Sequence, residues 1–372
     1  MVDDELFMRL ALKLARKGLG YTSPNPMVGA VIVKGGRIIA QGYHRGFGLA
    51  HAEIDALKHA QEDVYPERSR RIKGATLYVT LEPCRHYGKT PPCTDAIIKA
   101  KIARVVIGML DPDPHMRGES VKLLHQKGIK TTVGVLESDC LALNEKYIKH
   151  RTSGIPYVTV KFAQTLDGRI AAADGSTTRI SSPPSLKLAH QLRAAHDAIL
   201  VGVSTVIKDN PQLTTRLVKG RNPLRVILDS TLRIPLSAKM LQNQDKAKTL
   251  IAATPRADKN KLAALKKMGI EVLTVPADKE GRIDLKKLLK ALGERDITSL
   301  LVEGGAEVIT SFLRLKLIDK LVVIIAPKIL GKGTDSVGDL NITDLTKAYK
   351  LTFDKVYRSG EDIVVEGKRG EE

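Results

Sequence analysis

The stretches HAEIDAL (51–57) and TLEPCRHYGKTPPC (80–93) decide how the first half of the chain is interpreted. They supply one imidazole, His51, and two thiols, Cys84 and Cys93, which are side chains that zinc prefers. A catalytic zinc takes three protein ligands and leaves a fourth position for water, whose pKa it lowers to about 7. Glu53 follows His51 at the start of a predicted helix, so it can reach that water without being a ligand. The pattern matches the zinc nucleobase-deaminase signature and predicts hydrolytic deamination, with Glu53 carrying the protons.

The cysteine spacing departs from the usual P-C-x-x-C signature, because eight residues separate Cys84 from Cys93. The alternatives are a closed structural zinc site and two buried cysteines near a surface histidine. A closed site needs a fourth ligand, and the sequence offers no obvious one. The remaining cysteine, Cys140, falls on a predicted helix and is interpreted as a small core residue.

Composition indicates a two-domain globular protein. The chain has 372 residues, 43% of them hydrophobic, which is enough for two cores. No apolar run approaches the roughly 20 residues of a membrane span, and the N-terminus does not resemble a signal peptide, so we expect a cytoplasmic protein that does not bind membranes. The net charge of +19 favours phosphorylated small substrates, although a lysine-rich solvated surface explains most of it. Aromatic residues make up only 4%, so a nucleic-acid-binding protein with structural zinc is disfavoured and no specific nucleic-acid partner is expected.

Strand and helix patterns alternate along both halves of the chain. The pattern predicts a hairpin at 28–44 and then alternating elements to residue 148. A polar break at 149–156 predicts a linker between domains at 1–148 and 157–372. Both domains are predicted to be α/β, with a mostly parallel sheet covered on both faces, and the second ends in two antiparallel strands.

The second half also contains turns that could bind phosphate. The strand LLVE runs into Gly304-Gly305 and then a helix, so free N–H groups and the helix dipole could hold an anion there. It is not the full G-x-G-x-x-G fingerprint, and a plain tight turn is the alternative. The stretch GVSTVIKDNP (202–211) also follows a strand, at the edge where α/β sheets bind ligands.

Several stretches together resemble the bifunctional riboflavin-biosynthesis deaminase–reductases over nearly the whole chain. Besides the two stretches around the cysteines and His51, they are SPNPMVGAVIV (23–33), KFAQTLDGRIA (161–171), DAILVGVSTVIKDNPQLTTR (197–216) and LLVEGGAEV (300–308). The resemblance implies a cytidine-deaminase-like three-layer α/β/α domain followed by a dihydrofolate-reductase-like α/β domain, with Zn²⁺ and NADPH as cofactors and a homo-oligomeric assembly.

The resemblance also implies two consecutive reactions. The first removes the ring 2-amino group from 2,5-diamino-6-ribosylamino-4(3H)-pyrimidinone 5′-phosphate by hydrolysis. The second reduces the ribosyl group to a ribityl chain with NADPH. A tRNA or nucleobase deaminase with an accessory C-terminal domain is the alternative, and the basic charge is its support.

Site residues follow from the same resemblance. It makes His51, Cys84 and Cys93 the zinc ligands and Glu53 the proton shuttle. The implied deaminase substrate contacts are Asn25, His44, His86 and Lys89. The implied cofactor contacts in the reductase are Ala163, Arg179, Thr205, Asp209, Ser230, Gly305 and Ala306. The implied contacts to the ribose phosphate substrate are Thr177, Arg193, Leu213, Arg216 and Glu303.

Residue chemistry adds detail to the reductase assignments. A guanidinium binds phosphate in a bidentate way, so Arg193 and Arg216 are expected to form a phosphate clamp. Lys161 and Asp209 are the candidates for the proton donor that accompanies hydride transfer. Two positions depart from the family pattern: Arg179 stands where the family has a tryptophan, and Asp113 stands where a D-P-N-P run has asparagine.

Overall fold

The computed structural model describes residues 3–61, 72–87, 91–173 and 179–370. The chain divides into two compact units, Met1–Gly154 and Ile155–Glu372. Most of the stretch predicted as a linker, 149–156, is helical rather than irregular, since a helix spans Glu145–Ser153 and ends at Gly154, which has a left-handed φ of 69°. The charged residues that suggested a linker are equally suited to a solvated helix end.

The first unit is built on a five-stranded sheet. Its strands are β1 (Gly29–Lys34), β2 (Arg37–Tyr43), β3 (Thr76–Leu81), β4 (Arg104–Met109) and β5 (Lys130–Val133). Its helices are α1 (Asp4–Ala15), α2 (Ala52–Gln61), α3 (Cys93–Lys99), α4 (Glu119–Gln126), α5 (Glu137–Leu143) and α6 (Glu145–Ser153). The strand order is β2-β1-β3-β4-β5.

The pairing of β1 corrects the prediction of a mostly parallel sheet in this unit. The predicted hairpin forms, with β1 antiparallel to β2, but β1 is also antiparallel to β3. Only β3, β4 and β5 run parallel to one another. Helix α1 contacts α5, and α2 and α4 each contact α3, so helices cover the sheet in a three-layer arrangement.

Two glycines let helices approach this sheet closely. A Cβ on Gly42 of β2 would overlap the backbone of Ala52 and Ala56 in α2, and a Cβ on Gly29 of β1 would overlap the Ala11 carbonyl oxygen in α1. Absence of a side chain therefore permits direct backbone contact. This contact places the start of α2 against the end of β2.

The second unit is built on a nine-stranded sheet with the order β11-β10-β9-β8-β12-β6-β13-β16-β15. These strands are β6 (Tyr157–Thr165), β8 (Ala198–Gly202), β9 (Leu224–Leu228), β10 (Thr249–Ala253), β11 (Glu271–Thr274), β12 (Ser299–Val302), β13 (Lys320–Ala326), β15 (Leu351–Ser359) and β16 (Asp362–Arg369). A separate pair, β7 (Arg169–Ala172) and β14 (Gly333–Asp335), was not predicted. The helices are α7 (Pro183–Ala194), α8 (Val203–Asp209), α9 (Lys259–Lys267), α10 (Leu285–Gly293) and α11 (Ala306–Arg314).

The direction of these strands determines where a ligand can bind. The seven strands from β11 to β13 in the sheet order are parallel, whereas β16 and β15 are antiparallel. The predicted parallel sheet with an antiparallel finish is therefore confirmed in this unit. Because β9, β8, β12 and β6 are neighbours, their carboxyl ends share one edge, which is the edge where such sheets bind ligands. Among the described residues, no helix has both the length and the apolar character needed to cross a bilayer.

Candidate active sites of the two units

The three predicted metal ligands come together in the first unit. His51 precedes α2, Cys84 lies in the loop after β3, and Cys93 is the first residue of α3. His51 Nδ1 lies 3.5 Å from Cys84 Sγ and 3.4 Å from Cys93 Sγ. A tetrahedral zinc with Zn–N of about 2.0 Å and Zn–S of about 2.3 Å separates nitrogen and sulfur by about 3.5 Å. The donor set and its spacing therefore fit one zinc ion.

The number of ligands favours a catalytic site over a closed structural one. The ligand atoms of the three residues all lie within 4.8 Å of one another, and within the described ranges no other histidine, cysteine or carboxylate joins the group. A structural site would take four protein ligands, whereas a catalytic site keeps one position open.

Glu53 is positioned to move protons beside this group. It lies in the first turn of α2 and is 3% exposed. Burial raises its pKa to about 7, with the Cys84 thiolate adding to the effect. A carboxyl group that titrates near neutrality can both accept and return a proton.

Cys84 has the environment of a thiolate ligand. The backbone N–H of Cys93 donates to Cys84 Sγ at 3.3 Å. The Cys93 side chain, His51 and that backbone N–H hold the pKa of the Cys84 thiol at about 4. The thiolate is the form that binds metal, so the site favours the state that a zinc ligand needs.

A chain of hydrogen bonds fixes the side chains of His44 and Asn25. His44 Nδ1 lies 3.0 Å from the carbonyl oxygen of Ala50, which can only accept, so Nδ1 carries the proton. Burial lowers the pKa of His44, and the neutral ring then accepts at Nε2 from Asn25 Nδ2, 3.2 Å away. Both nitrogens of His44 are thus used inside the protein, and the Asn25 amide oxygen is left as an acceptor for a ligand.

The predicted deaminase substrate residues fall in three different positions. The rings of His44 and His51 lie 5.4 Å apart in an edge-on arrangement, so His44 and Asn25 border the metal group. His86 is exposed in the loop after Cys84. Lys89 lies outside the described residues.

Glu82 supports the metal loop, although the sequence analysis assigned it no role. Its carboxylate accepts from the backbone N–H groups of Asp111 at 3.1 Å, Gly118 at 2.9 Å and Ser120 at 3.0 Å, and it is 5% exposed. It therefore ties residues 111–120 to the strand end that carries Cys84. The sequence signal for this role was an acidic residue, Glu82, directly after the apolar strand β3.

Asn144 is a second residue that the sequence analysis missed. It lies between α5 and α6, and it is 2% exposed. Its side chain accepts from Met27 N at 2.9 Å and donates to Met27 O at 3.0 Å. This pair holds the segment that follows Asn25 and Pro26.

In the second unit, five predicted cofactor contacts gather at the carboxyl edge of the sheet. Ala163 is near the end of β6, Thr205 is in the first turn of α8, and Ser230 follows β9. Gly305 and Ala306 begin α11, directly after β12. The Thr205 hydroxyl lies 3.4 Å from the place where a Cβ on Gly305 would be, so β8 and β12 present these groups side by side.

Three further predicted contacts of this unit are Arg179, Asp209 and Thr177. Arg179 lines a cavity of about 440 Å³ with Lys328, which follows the carboxyl end of β13. Lys328 Nζ donates to the carbonyl oxygens of Arg179 and Ile180. Asp209 is the exposed last residue of α8, whereas Thr177 lies outside the described residues.

A buried ion pair bears on the predicted role of Arg193. Arg193 Nε and Nη2 donate to the two carboxylate oxygens of Glu303 at 2.8 and 2.7 Å, and both side chains are nearly buried. Although burial alone would raise it, Arg193 and Lys161 hold the pKa of Glu303 at about 2. Because Arg193 Nε and Nη2 already bind this carboxylate, a bidentate contact of the same fork with phosphate requires that it leave Glu303, and the contact of Arg193 with the substrate stays a prediction.

Lys161 is a half-buried cation beside that pair. Burial lowers the pKa of its ammonium group, and Glu303 opposes this effect. No hydrogen bond or ion pair joins its Nζ to another described residue. Lys161 is therefore the more suitable of the two predicted proton donors, because a lysine with a lowered pKa releases its proton more readily.

Comparison with known proteins identifies relatives of both units. Residues 156–365 match the family described as the RibD C-terminal domain, and residues 1–109 match the cytidine and deoxycytidylate deaminase zinc-binding region. Curated relatives with the name riboflavin biosynthesis protein RibD include one from Aquifex aeolicus, 48% identical over 98% of each chain. Another, from Escherichia coli, is 37% identical over 97% of this chain and 98% of the relative.

Solved structures agree over the full length. One is a diaminohydroxyphosphoribosylaminopyrimidine deaminase/5-amino-6-(5-phosphoribosylamino)uracil reductase from Thermotoga maritima, with a TM-score of 0.86 and 39% identity over 99% of each chain. Another is RibD from Acinetobacter baumannii, with a TM-score of 0.88 and 34% identity over 99% of each chain. These likenesses extend through both units, so the alternative of a tRNA or nucleobase deaminase with an accessory domain is discarded.

Proposed function

Since the chain belongs to the RibD family of riboflavin-biosynthesis enzymes, with a deaminase and a reductase domain, we propose the substrate, cofactors and residues that serve its two reactions. The deaminase domain removes the 2-amino group of 2,5-diamino-6-ribosylamino-4(3H)-pyrimidinone 5′-phosphate. The reductase domain then converts the ribosyl group to a ribityl chain with NADPH. The observation that carries the proposal is the three-ligand group of the first unit with buried Glu53 beside it.

In the deaminase half, His51, Cys84 and Cys93 hold zinc, which when bound supplies Lewis-acid activation of a water molecule at neutral pH. Glu53 takes a proton from the attacking water and passes it to the departing amino group, so that water is consumed and ammonia is released. The Asn25 amide oxygen accepts a hydrogen bond from an N–H group of the pyrimidine ring. His44 keeps Asn25 in the orientation that this contact needs.

In the reductase half, a nicotinamide cofactor supplies the hydride that reduces the opened sugar carbon. Lys161 donates the proton that completes the two-electron reduction, and the Glu303 carboxylate, which is paired with Arg193, favours the charged form of Lys161. Gly305 and Ala306 form the start of α11. Their backbone N–H groups and the helix dipole stabilise a phosphate group of the cofactor there.

The remaining reductase residues complete the two binding sites. Ala163, Thr205, Ser230 and Asp209 border the cofactor, and Arg179 stacks on a planar ring where relatives carry tryptophan. Leu213 and Arg216 contact the ribose phosphate substrate. The preference for NADPH over NADH rests on membership of the family.

One incubation tests the proposed reactions. Purified protein is mixed with the diaminopyrimidine ribotide, with and without NADPH, and ammonia and NADPH are followed over time. We expect ammonia in both samples and NADPH oxidation only after deamination has begun. Oxidation of NADPH without ammonia, or release of ammonia from cytidine or tRNA, would contradict the proposal.

Glu53→Gln tests the proton shuttle. The amide cannot accept and return a proton, so ammonia release should fall by about 10²–10⁴-fold while the protein keeps its zinc. Zinc content and the rate of ammonia release are the measurements. The same variant should oxidise NADPH at the normal rate when the deaminated substrate is supplied, and loss of both activities would contradict the assignment to one site.

A further inference from the structure

The segment 212–216, between α8 and β9, carries Leu213 and Arg216, which we place in the reductase substrate site. Leu213 is 5% exposed and has a φ of 51°. This left-handed conformation is unfavourable for a leucine, so the surroundings must hold it. The neighbouring Asn210 also has a left-handed φ, of 41°. The conformation of the segment therefore depends on contacts from outside it.

His190 supplies one of these contacts. It lies on α7 and is 2% exposed, and the backbone N–H of Arg216 donates to its Nδ1 at 2.9 Å. A backbone N–H can only donate, so Nδ1 must be unprotonated. The charged groups that act on the ring include the cations Arg193, Arg216 and Lys161 and the carboxylate Glu303. Burial and the two arginines lower the pKa of His190 to about 4, which keeps the ring neutral.

Two arginines hold the same segment at other points. Arg193 Nη1 donates to the carbonyl oxygen of Thr214 at 3.4 Å, and Arg225 Nη1 donates to that of Gln212 at 3.3 Å. Arg225 is 2% exposed, and among the described residues it forms no ion pair with a carboxylate. Burial of a cation without a carboxylate partner lowers the stability of the fold. The hydrogen bond from Arg225 to the carbonyl oxygen of Gln212 offsets part of this cost and holds the segment 212–216 in its conformation.

The side chain of Arg216 benefits from this support. Its Nη1 donates to Gln212 Oε1 at 3.1 Å and to Thr214 Oγ1 at 2.8 Å. Its backbone is held by His190 and its guanidinium by the side chains of Gln212 and Thr214. The cation is therefore oriented before any substrate arrives, which lowers the entropy cost of binding a phosphate.

We propose that His190 is a positioning residue of the reductase site: it fixes the backbone of Arg216, so that this guanidinium meets the phosphate of the substrate. The inference rests on the proposed function, because the phosphate belongs to the proposed substrate. In this proposal His190 contacts the backbone of Arg216 and neither the reacting atoms nor the cofactor. Its loss should therefore weaken substrate binding more than it slows the chemical step.

Three substitutions of His190 in the full-length protein change the atom that accepts from the backbone N–H of Arg216. His190→Asn keeps an acceptor atom on the same branch of the side chain as Nδ1, His190→Gln moves it by one methylene, and His190→Leu removes it. The measured quantities are KM and kcat for 5-amino-6-(5-phosphoribosylamino)uracil and the Kd for NADPH. We expect His190→Leu to raise KM by roughly tenfold, because a buried N–H loses its acceptor. His190→Gln should give a smaller rise, and His190→Asn should stay near wild type.

A matched control separates positioning from general destabilisation. His196 lies just after α7, is equally buried, and contacts Leu192 O and Thr159 Oγ1. His196→Leu should lower the melting temperature without raising KM. If His190→Leu fails to fold, the KM values of His190→Asn and His190→Gln test the proposal, because only His190→Asn keeps the acceptor in place.

Two results would overturn the inference. In the first, KM stays unchanged in His190→Gln and His190→Leu. In the second, KM of His190→Asn rises as much as that of His190→Gln or His190→Leu. Failure of the proposed function has a different signature, because wild-type protein would then not oxidise NADPH with this substrate at all.

Discussion

In the deaminase unit, three ligand atoms lie within 4.8 Å of one another, and one buried carboxyl group completes the chemistry. In the reductase unit, the candidate residues are spread along the ends of four strands and the starts of two helices. The first arrangement depends on a few strong bonds to one ion, whereas the second depends on many weak contacts along a sheet edge. Damage to the first site should therefore be abrupt and local, and damage to the second should be graded and coupled to folding.

The largest expected effect comes from removing a zinc ligand. Cys84→Ser should reduce zinc content and bring ammonia release down to the background, because two remaining ligands hold zinc poorly. NADPH oxidation with supplied deaminated substrate should be unchanged. The measurements are metal analysis and the two rates.

The third cysteine provides the control for this experiment. Cys140 is buried in the core of the same unit, away from the metal group. Cys140→Ala should keep both zinc and deaminase activity. Equal loss of activity in the two variants would show that the sulfur atoms matter for packing rather than for metal.

A smaller effect on activity, with a larger effect on folding, is expected from Glu303→Gln. The substitution leaves Arg193 without its carboxylate, and breaking a buried pair in this way costs about 3–5 kcal/mol of the free energy of unfolding. Urea denaturation of the second unit should show this destabilisation, together with a lower rate of NADPH oxidation. Ammonia release should persist, and an unchanged unfolding midpoint would contradict the role of the pair.

The pH dependence of stability sharpens the same test. The pKa of Glu303 is about 2 in the folded protein against an ordinary value of 4.5. A lowered pKa stabilises the fold above the ordinary value, and this contribution is lost as the pH falls from about 4.5 towards 2. Glu303→Gln should lack that part of the acid dependence.

The smallest effect is expected from Asn144→Ala in the deaminase unit. It removes both hydrogen bonds to Met27, so the segment with Asn25 loses one support. We expect KM for the diaminopyrimidine ribotide to rise by roughly three- to tenfold and zinc content to stay unchanged. Asn144→Asp keeps the acceptor for Met27 N–H, so its KM should lie between those of the wild type and Asn144→Ala. An unchanged KM in both variants would show that substrate binding does not depend on the hydrogen bonds between Asn144 and Met27.

The sequence by itself indicated two α/β domains, the first hairpin, and the grouping of His51, Cys84 and Cys93 with Glu53 beside them. These features follow from local periodicity, or from side chains whose chemistry restricts them to one use, such as one histidine and two cysteines that suit zinc. The antiparallel pairing of β1 with β3 could not be predicted from the sequence, because the direction of β3 depends on a connection that passes through a helix.

Only the tertiary structure decided which partners the polar residues take. Glu303 binds Arg193 across 110 positions of sequence, Asn144 binds Met27 across 117, and His190 accepts from Arg216 across 26. An arginine that looks free to bind phosphate in the sequence is occupied by a carboxylate once the sheet brings β12 beside α7. Hydrogen bonds act over about 3 Å, so their partners are determined by packing in space and not by spacing along the chain.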